Sequence, residues 1–114
     1  DRVEVFLDSH SNMDQYAEEN TVDCITFNFG YLPGGDHNIF TTPATSIPAI
    51  EKALKLLKQG GLMSLCVYYG GFEEKDALME YFRTIDSKQY TVLITEFANR
   101  PNNPPIPVFI LKQI

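Results

Sequence analysis

The chain has little of what usually narrows a function quickly. Its 114 residues include two cysteines, Cys24 and Cys66, with neither CxxC nor His spacing around them. That counts against a metal site or a disulfide framework. Both lie inside apolar segments and are expected to be buried thiols in a reducing compartment. No apolar run approaches the ~20 residues a membrane-spanning helix needs, so no membrane association is expected. The opening "DRVEVFLD" lacks the basic flank and small-residue cleavage site of a secretory signal. Residue 1 is Asp rather than Met, so translation is expected to begin upstream. Cations are also sparse: nine Lys/Arg against 15 Asp/Glu give a net charge of −6, with no cluster beyond scattered pairs. Gripping a phosphate backbone takes several cations that displace condensed counterions, which this segment by itself does not offer. No GxGxxG follows a strand-like run, which weakens a dehydrogenase reading. The expectation is a metal-free, cytoplasmic, single globular domain spanning residues 1–114.

What is present is alternation. Val3, Val5 and Leu7 repeat at period two, so residues 2–7 predict a first strand. A turn-rich stretch and a short helix near Met13–Glu19 follow. Residues 22–29, "VDCITFNF", are more uniformly apolar and predict a central parallel strand. Thr45 or Ser46 is suited to cap the next helix, with Pro48 tolerated in its first turn. Ile47, Ile50, Leu54 and Leu57 share one face of that helix, and Gly60-Gly61 is expected to stop it. Further strands are predicted over 62–69, 90–98 and 108–114, with an amphipathic helix over 73–85. The last connection, "NRPNNPP", has three prolines in seven residues and cannot form a crossover helix. The final two strands are therefore expected to be antiparallel. The expectation is an α/β sheet, mostly parallel with an antiparallel last strand, which is the layout of Rossmann-like methyltransferases.

Ligands of open α/β sheets bind beyond the carboxyl ends of the strands. Three polar clusters fall at such ends: Asp8-Ser9-His10, the stretch "NFGYLPGGDH" from Asn28 to His37, and Tyr68 to Gly71. A fourth, Asn99 to Asn103, follows the fourth predicted strand. Each also has a purely structural reading. Asn28 can cap a turn and Tyr31 can pack as core. Gly30, Gly34 and Gly35 can simply turn the chain, and Asp36 can cap. Asp8-Ser9 can form a turn ahead of a helix, and Asn102 to Pro105 can stiffen a connection.

"LDSHSNM", "FNFGYLPGGDH", "AIEKALKLLKQGGL", "VYYGG" and "NRPNNPP" occur here in one order. In this the chain resembles the rRNA methylase family of bacteria and plants, S-adenosylmethionine-dependent enzymes whose members methylate the 5-aminomethyl group of 2-thiouridine at the tRNA wobble position. The resemblance covers essentially the whole chain. It implies S-adenosylmethionine as cofactor and tRNA as substrate, and the reading adds a homodimer as the expected assembly. A family member would begin with two further βα units, roughly 60 residues, that bind the methionine moiety and ribose. The chain is thus expected to be the C-terminal portion of such an enzyme. Val3–Leu7 would be the family's third strand, pairing here with the next strand or with a partner chain.

The resemblance assigns Asp8, Ser9 and His10 to the adenine region, with Asn28 and Gly30 also at the cofactor. "Asn-Phe-Gly-Tyr" is similar to the Asn-Pro-Pro-Tyr type motif of amino-methylating enzymes. An amide and nearby carbonyls accept the hydrogens of an amine and aim its lone pair at the sulfonium methyl, which is chiefly a positioning effect. The expected catalytic residues are Asn28, Tyr31 and Asp36, with Asp36 and His37 the nearby groups able to take a proton. Tyr31, Leu32, Pro33, Gly34, His37, Tyr69, Asn102 and Asn103 form the expected substrate side. "YYGGFEEK" departs from the family pattern, which has a His after Tyr-Tyr-Gly. A non-catalytic remnant acting as an interaction or dimerisation module is the alternative reading.

Overall fold

The computed structural model describes residues 2–29, 43–68, 73–102 and 104–113. A short 3-10 helix (His10–Gln15) precedes β1 (Val22–Phe29), α1 (Pro43–Leu56), β2 (Leu57–Val67), α2 (Glu73–Thr84), β3 (Tyr90–Ile94) and β4 (Ile106–Lys112). The four strands form one sheet in the order β1-β2-β4-β3. β1 and β2 pair in parallel, and β4 lies antiparallel between β2 and β3. β1, β2 and β3 therefore point the same way, with the last strand reversed among them. The reversal follows from the proline loop, which is too short and too poor in N–H groups to cross over as a helix.

The core lies on one face of this sheet. Phe27 and Phe29 of β1, Met63, Leu65 and Val67 of β2, and Val108 and Ile110 of β4 are buried against Ala49, Ile50, Ala53 and Leu54 of α1 and Leu78 and Phe82 of α2. Because side chains alternate along a strand, the intervening residues form the second face. There Cys24, Thr26 and Asn28 are exposed, and Leu62, Ser64 and Cys66 are half-buried. Leu93 and Leu111 reach solvent on the same face.

The expected strand over residues 2–7 is absent from the sheet, and β1 pairs only with β2 among the described residues. Val5 is 90% and Leu7 106% exposed, and the segment's Phe6 ring rests on Tyr16 at 4.1 Å. Period-two alternation makes a segment competent for a sheet, but a strand also requires a neighbour's N–H and C=O groups. The expectation that both cysteines are buried fails for Cys24, which is exposed. It points to the face of β1 that no helix among the described residues covers.

The end of α1 also differs from the expectation. The helix stops at Leu56, before Gly60-Gly61, because its final carbonyls are taken from outside. Asn20 N donates to Lys55 O (2.9 Å) and Thr21 N to Leu56 O (3.0 Å). Lys112, only 7% exposed, donates from Nζ to Leu54 O (3.2 Å), Leu57 O (2.8 Å) and Asn20 Oδ1 (2.7 Å). The glycines instead form an irregularity in β2, where Val22 pairs with Leu57 but Cys24 already pairs with Leu62. Gly60 has φ +82°, and a Cβ on Gly61 would lie 2.8 Å from the Leu57 side chain. Thr45 and Ser46 lie inside α1 rather than capping it, and the Ser46 hydroxyl donates to the buried Glu74 of α2 at 2.7 Å. β3 ends at Ile94, four residues earlier than expected. Thr95 still reaches Pro107 O through its N–H (3.0 Å) and hydroxyl (2.8 Å), but the prolines opposite have no N–H to continue the ladder.

Candidate functional site

The carboxyl ends of β1, β2 and β3 and the amino end of β4 share one rim, because β4 runs against its neighbours. Asn28 stands at that rim on the uncovered face, with Cys66 as its neighbour in register. Its side chain is exposed and makes no hydrogen bond among the described residues. Tyr68, two residues beyond Cys66, completes this edge. A hydrogen bond with the Cys66 thiol, and then burial, raises the Tyr68 phenol above its ordinary value. It is therefore a neutral hydroxyl at physiological pH.

Asp8 and Ser9 lead into His10, which approaches the end of β1 from the helix side. Asp8 accepts from Ser9 N (2.7 Å), Asn12 Nδ2 (2.9 Å) and Tyr16 OH (2.6 Å), and the Tyr16 bond leads the causes that lower its carboxyl. Ser9 caps the 3-10 helix by accepting from Ser11 N. These contacts are local and hold the turn in shape. His10 packs edge-on against both Phe27 and Phe29, with ring centroids 5.9 Å away in each case. Burial depresses its imidazole below the ordinary value, against an opposing pull from Glu74. His10 is thus a neutral, half-buried ring at the strand end.

A second concavity opens farther along the rim. A cavity of about 440 Å³ is lined by residues of the β3–β4 connection, among them Glu96, Phe97, Arg100, Asn102 and Pro105. Asn102 adopts φ +64°, a left-handed conformation that Asn tolerates better than most residues. Three strand steps separate the end of β1 from β3, roughly 14 Å at ~4.8 Å per step. Asn28 and Asn102 therefore share the rim without touching, and His10 lies on the other side of β1 from Asn28. Gly30, Tyr31, Leu32, Pro33, Gly34, Gly35, Asp36, His37, Tyr69 and Asn103 lie outside the described residues.

Two features were not anticipated from the sequence. One is the cavity role of Phe97 and Arg100, for which an Arg within a proline-rich loop at a strand end was the available signal. The other is the buried Ser46–Glu74 bond, which joins residues 28 apart and has no local signature. Among the described residues, no group of three or more His, Cys, Asp or Glu is arranged to hold a metal ion. Nor is any helix among them long and apolar enough to cross a membrane.

Residues 1–111 match the family described as "Putative rRNA methylase". The chain is 36% identical over 115 residues to the tRNA (mnm(5)s(2)U34)-methyltransferase, chloroplastic, of Arabidopsis thaliana, covering 97% of this chain and 42% of the relative. The crystal structure of a "putative rRNA-methylase" from Clostridium thermocellum is similar with TM-score 0.86 and 46% identity, over 92% of this chain and 57% of that one. A "putative methyltransferase" from Streptococcus mutans, solved in complex with SAH, gives TM-score 0.82 and 38% identity, over 92% and 58%. An rRNA methylase from Streptococcus thermophilus gives 0.76 and 32%, over 96% and 57%. The chain thus spans about half the length of the relatives it matches. Its fold agrees with theirs over most of its length, and the chain belongs to the rRNA methylase family.

Proposed function

We propose that the chain is the C-terminal, acceptor-side portion of an S-adenosylmethionine-dependent RNA methyltransferase whose target is the aminomethyl nitrogen of a tRNA wobble uridine. The observation that carries this reading is Asn28: an exposed amide with no hydrogen-bond partner among the described residues, at the carboxyl end of a parallel strand, in a chain of this family. The SAH bound by the Streptococcus mutans relative and the tRNA product named for the Arabidopsis relative support the cofactor and substrate assignments.

The described residues fit the cofactor's adenine and methyl end. His10 is neutral and packed on two phenyl rings, so it offers an uncharged surface beside an aromatic base. Asn28 and Tyr68 add neutral polar groups and no cation to oppose a sulfonium. When bound, S-adenosylmethionine supplies the electrophilic methyl. The Asn28 Oδ1 accepts a hydrogen of the substrate amine and turns its lone pair toward that methyl. Such alignment contributes by positioning rather than by proton transfer. Asp36 is the proposed group that takes the proton lost by the methylated amine, with Tyr31 stacking on the base.

A homodimer in the cytoplasm completes the reading, since a groove between two copies would gather more cations than a chain of net charge −6 offers alone. The test is calorimetric titration of S-adenosylhomocysteine into the folded 114-residue chain, followed by methyl transfer to tRNA bearing 5-aminomethyl uridine. Saturable binding and a ~100-fold lower transfer rate for Asn28→Ala are expected, the size of a positioning loss. A folded chain that gives no heat overturns the reading for this polypeptide and favours the non-catalytic interaction module.

A further inference from the structure

The cavity in the β3–β4 connection is separate from the acceptor position at Asn28, and its lining has its own chemistry. Phe97 is 48% exposed and lines this cavity, so its ring is within reach of a ligand. Arg100 lines the same cavity and forms no ion pair among the described residues. Glu96 supplies a carboxylate beside them, and Pro101, Pro104 and Pro105 stiffen the wall. A rigid, preformed cleft loses little entropy when it is filled.

We infer that this cavity binds one nucleotide of single-stranded RNA next to the nucleotide being methylated, an assignment that rests on the methyltransferase reading above. The Phe97 ring offers a face on which a base of any type stacks. The guanidinium of Arg100 offers paired donors suited to a phosphate. Glu96 repels phosphate and accepts an N–H from a base edge, so the two charges orient the nucleotide: base toward Glu96 and Phe97, phosphate toward Arg100. The volume of about 440 Å³ falls in the range of single-ligand pockets and suits one nucleotide rather than a folded stem. The separation of roughly 14 Å from Asn28, three strand steps, excludes the acceptor base itself and places the site at a flanking position. One cation that holds a phosphate also eases the conflict between an acidic chain and an RNA substrate, because stacking adds affinity that does not depend on net charge.

The experiment is binding of fluorescein-labelled heptauridylate to the 114-residue chain by anisotropy, with amide chemical-shift mapping of uridine 5′-monophosphate. Shifts are expected over residues 94–106 and not over 22–29. Phe97→Leu and Arg100→Gln, both at exposed positions, should each weaken heptauridylate at least ~5-fold. Only Arg100→Gln should also lower the salt dependence, by about 0.7 in log–log slope for one phosphate contact on a single strand. Wild-type affinity in both variants, or shifts that fall outside residues 94–106, overturns the proposal. S-adenosylhomocysteine is titrated in parallel. Cofactor binding without heptauridylate binding overturns the cavity assignment alone. Heptauridylate mapping to the cavity without cofactor binding overturns the methyltransferase reading alone.

Discussion

Replacing Lys112 by Met tests whether a single buried cation ties the end of α1 to the sheet. The ammonium is 7% exposed and donates to Asn20 Oδ1, Leu54 O and Leu57 O, with its nitrogen 5.9 Å from the centroid of the Tyr90 ring. Methionine keeps the length of the aliphatic stem, so little packing is lost. Leu54 O retains the Tyr90 phenol at 3.2 Å, and the exposed Asn20 amide can turn to water. The cost therefore concentrates on the Leu57 carbonyl, at about 1–3 kcal/mol for a buried acceptor that loses its donor. Losing a cation at a helix C-terminus adds about 0.3–1 kcal/mol, and losing its contact with the Tyr90 ring about 0.5–1 kcal/mol. The sum is about 3 kcal/mol, which for a domain of this size lowers the melting temperature by roughly 10–20 °C. Urea unfolding followed by circular dichroism reads the change, with an unchanged m-value showing that it is one of stability. A loss below about 0.5 kcal/mol, the scale of ordinary surface substitutions, would refute the capping role.

Three further outcomes are expected. The imidazole of His10 is depressed by burial, so the unfolded chain binds its proton first: stability is full above pH ~6.5 and is lost as pH falls below it. His10→Phe keeps the ring contacts and should flatten the urea midpoint between pH ~7 and ~5; an unchanged slope would show that His10 is not the titrating group. Tyr81 is pushed up to about 12, mainly by burial and then by Glu51 and Tyr90, so its share of stability is present below pH ~10 and disappears as pH rises from there to about 12. Tyr81→Phe should shift alkaline unfolding to higher pH, and coincident curves would count against that placement of the phenol. Gly60→Ala, at φ +82°, should lower stability by about 1–2 kcal/mol in urea, whereas a neutral effect would mean that β2 does not bend there.

Most of the fold was legible because it depends on local pattern. β1, α1 and α2 announced themselves through apolar periodicity, and "NRPNNPP" required an antiparallel final pair because prolines cannot supply a crossover helix. The edge of the sheet was legible in part: Asn28 and Tyr68 stand at the ends of parallel strands, whereas Asp8, Ser9 and His10 follow a segment that forms no strand. Tertiary structure decided the rest. Val3–Leu7 has the pattern of a strand and forms none, because pairing depends on a neighbour that no residue within the segment can encode. Cys24 is apolar in context yet exposed, because burial depends on which face of the sheet the helices cover. The end of α1 was set by Lys112 and by the Asn20 and Thr21 amides, residues distant in sequence that supply the donors its carbonyls need, and not by the glycines nearby. Phe97 and Arg100 stand three residues apart in a loop, and they line one cavity only because β4 folds back beside β3. Periodicity and backbone chemistry are properties of a segment, whereas partners, exposure and cavities are properties of the assembled sheet.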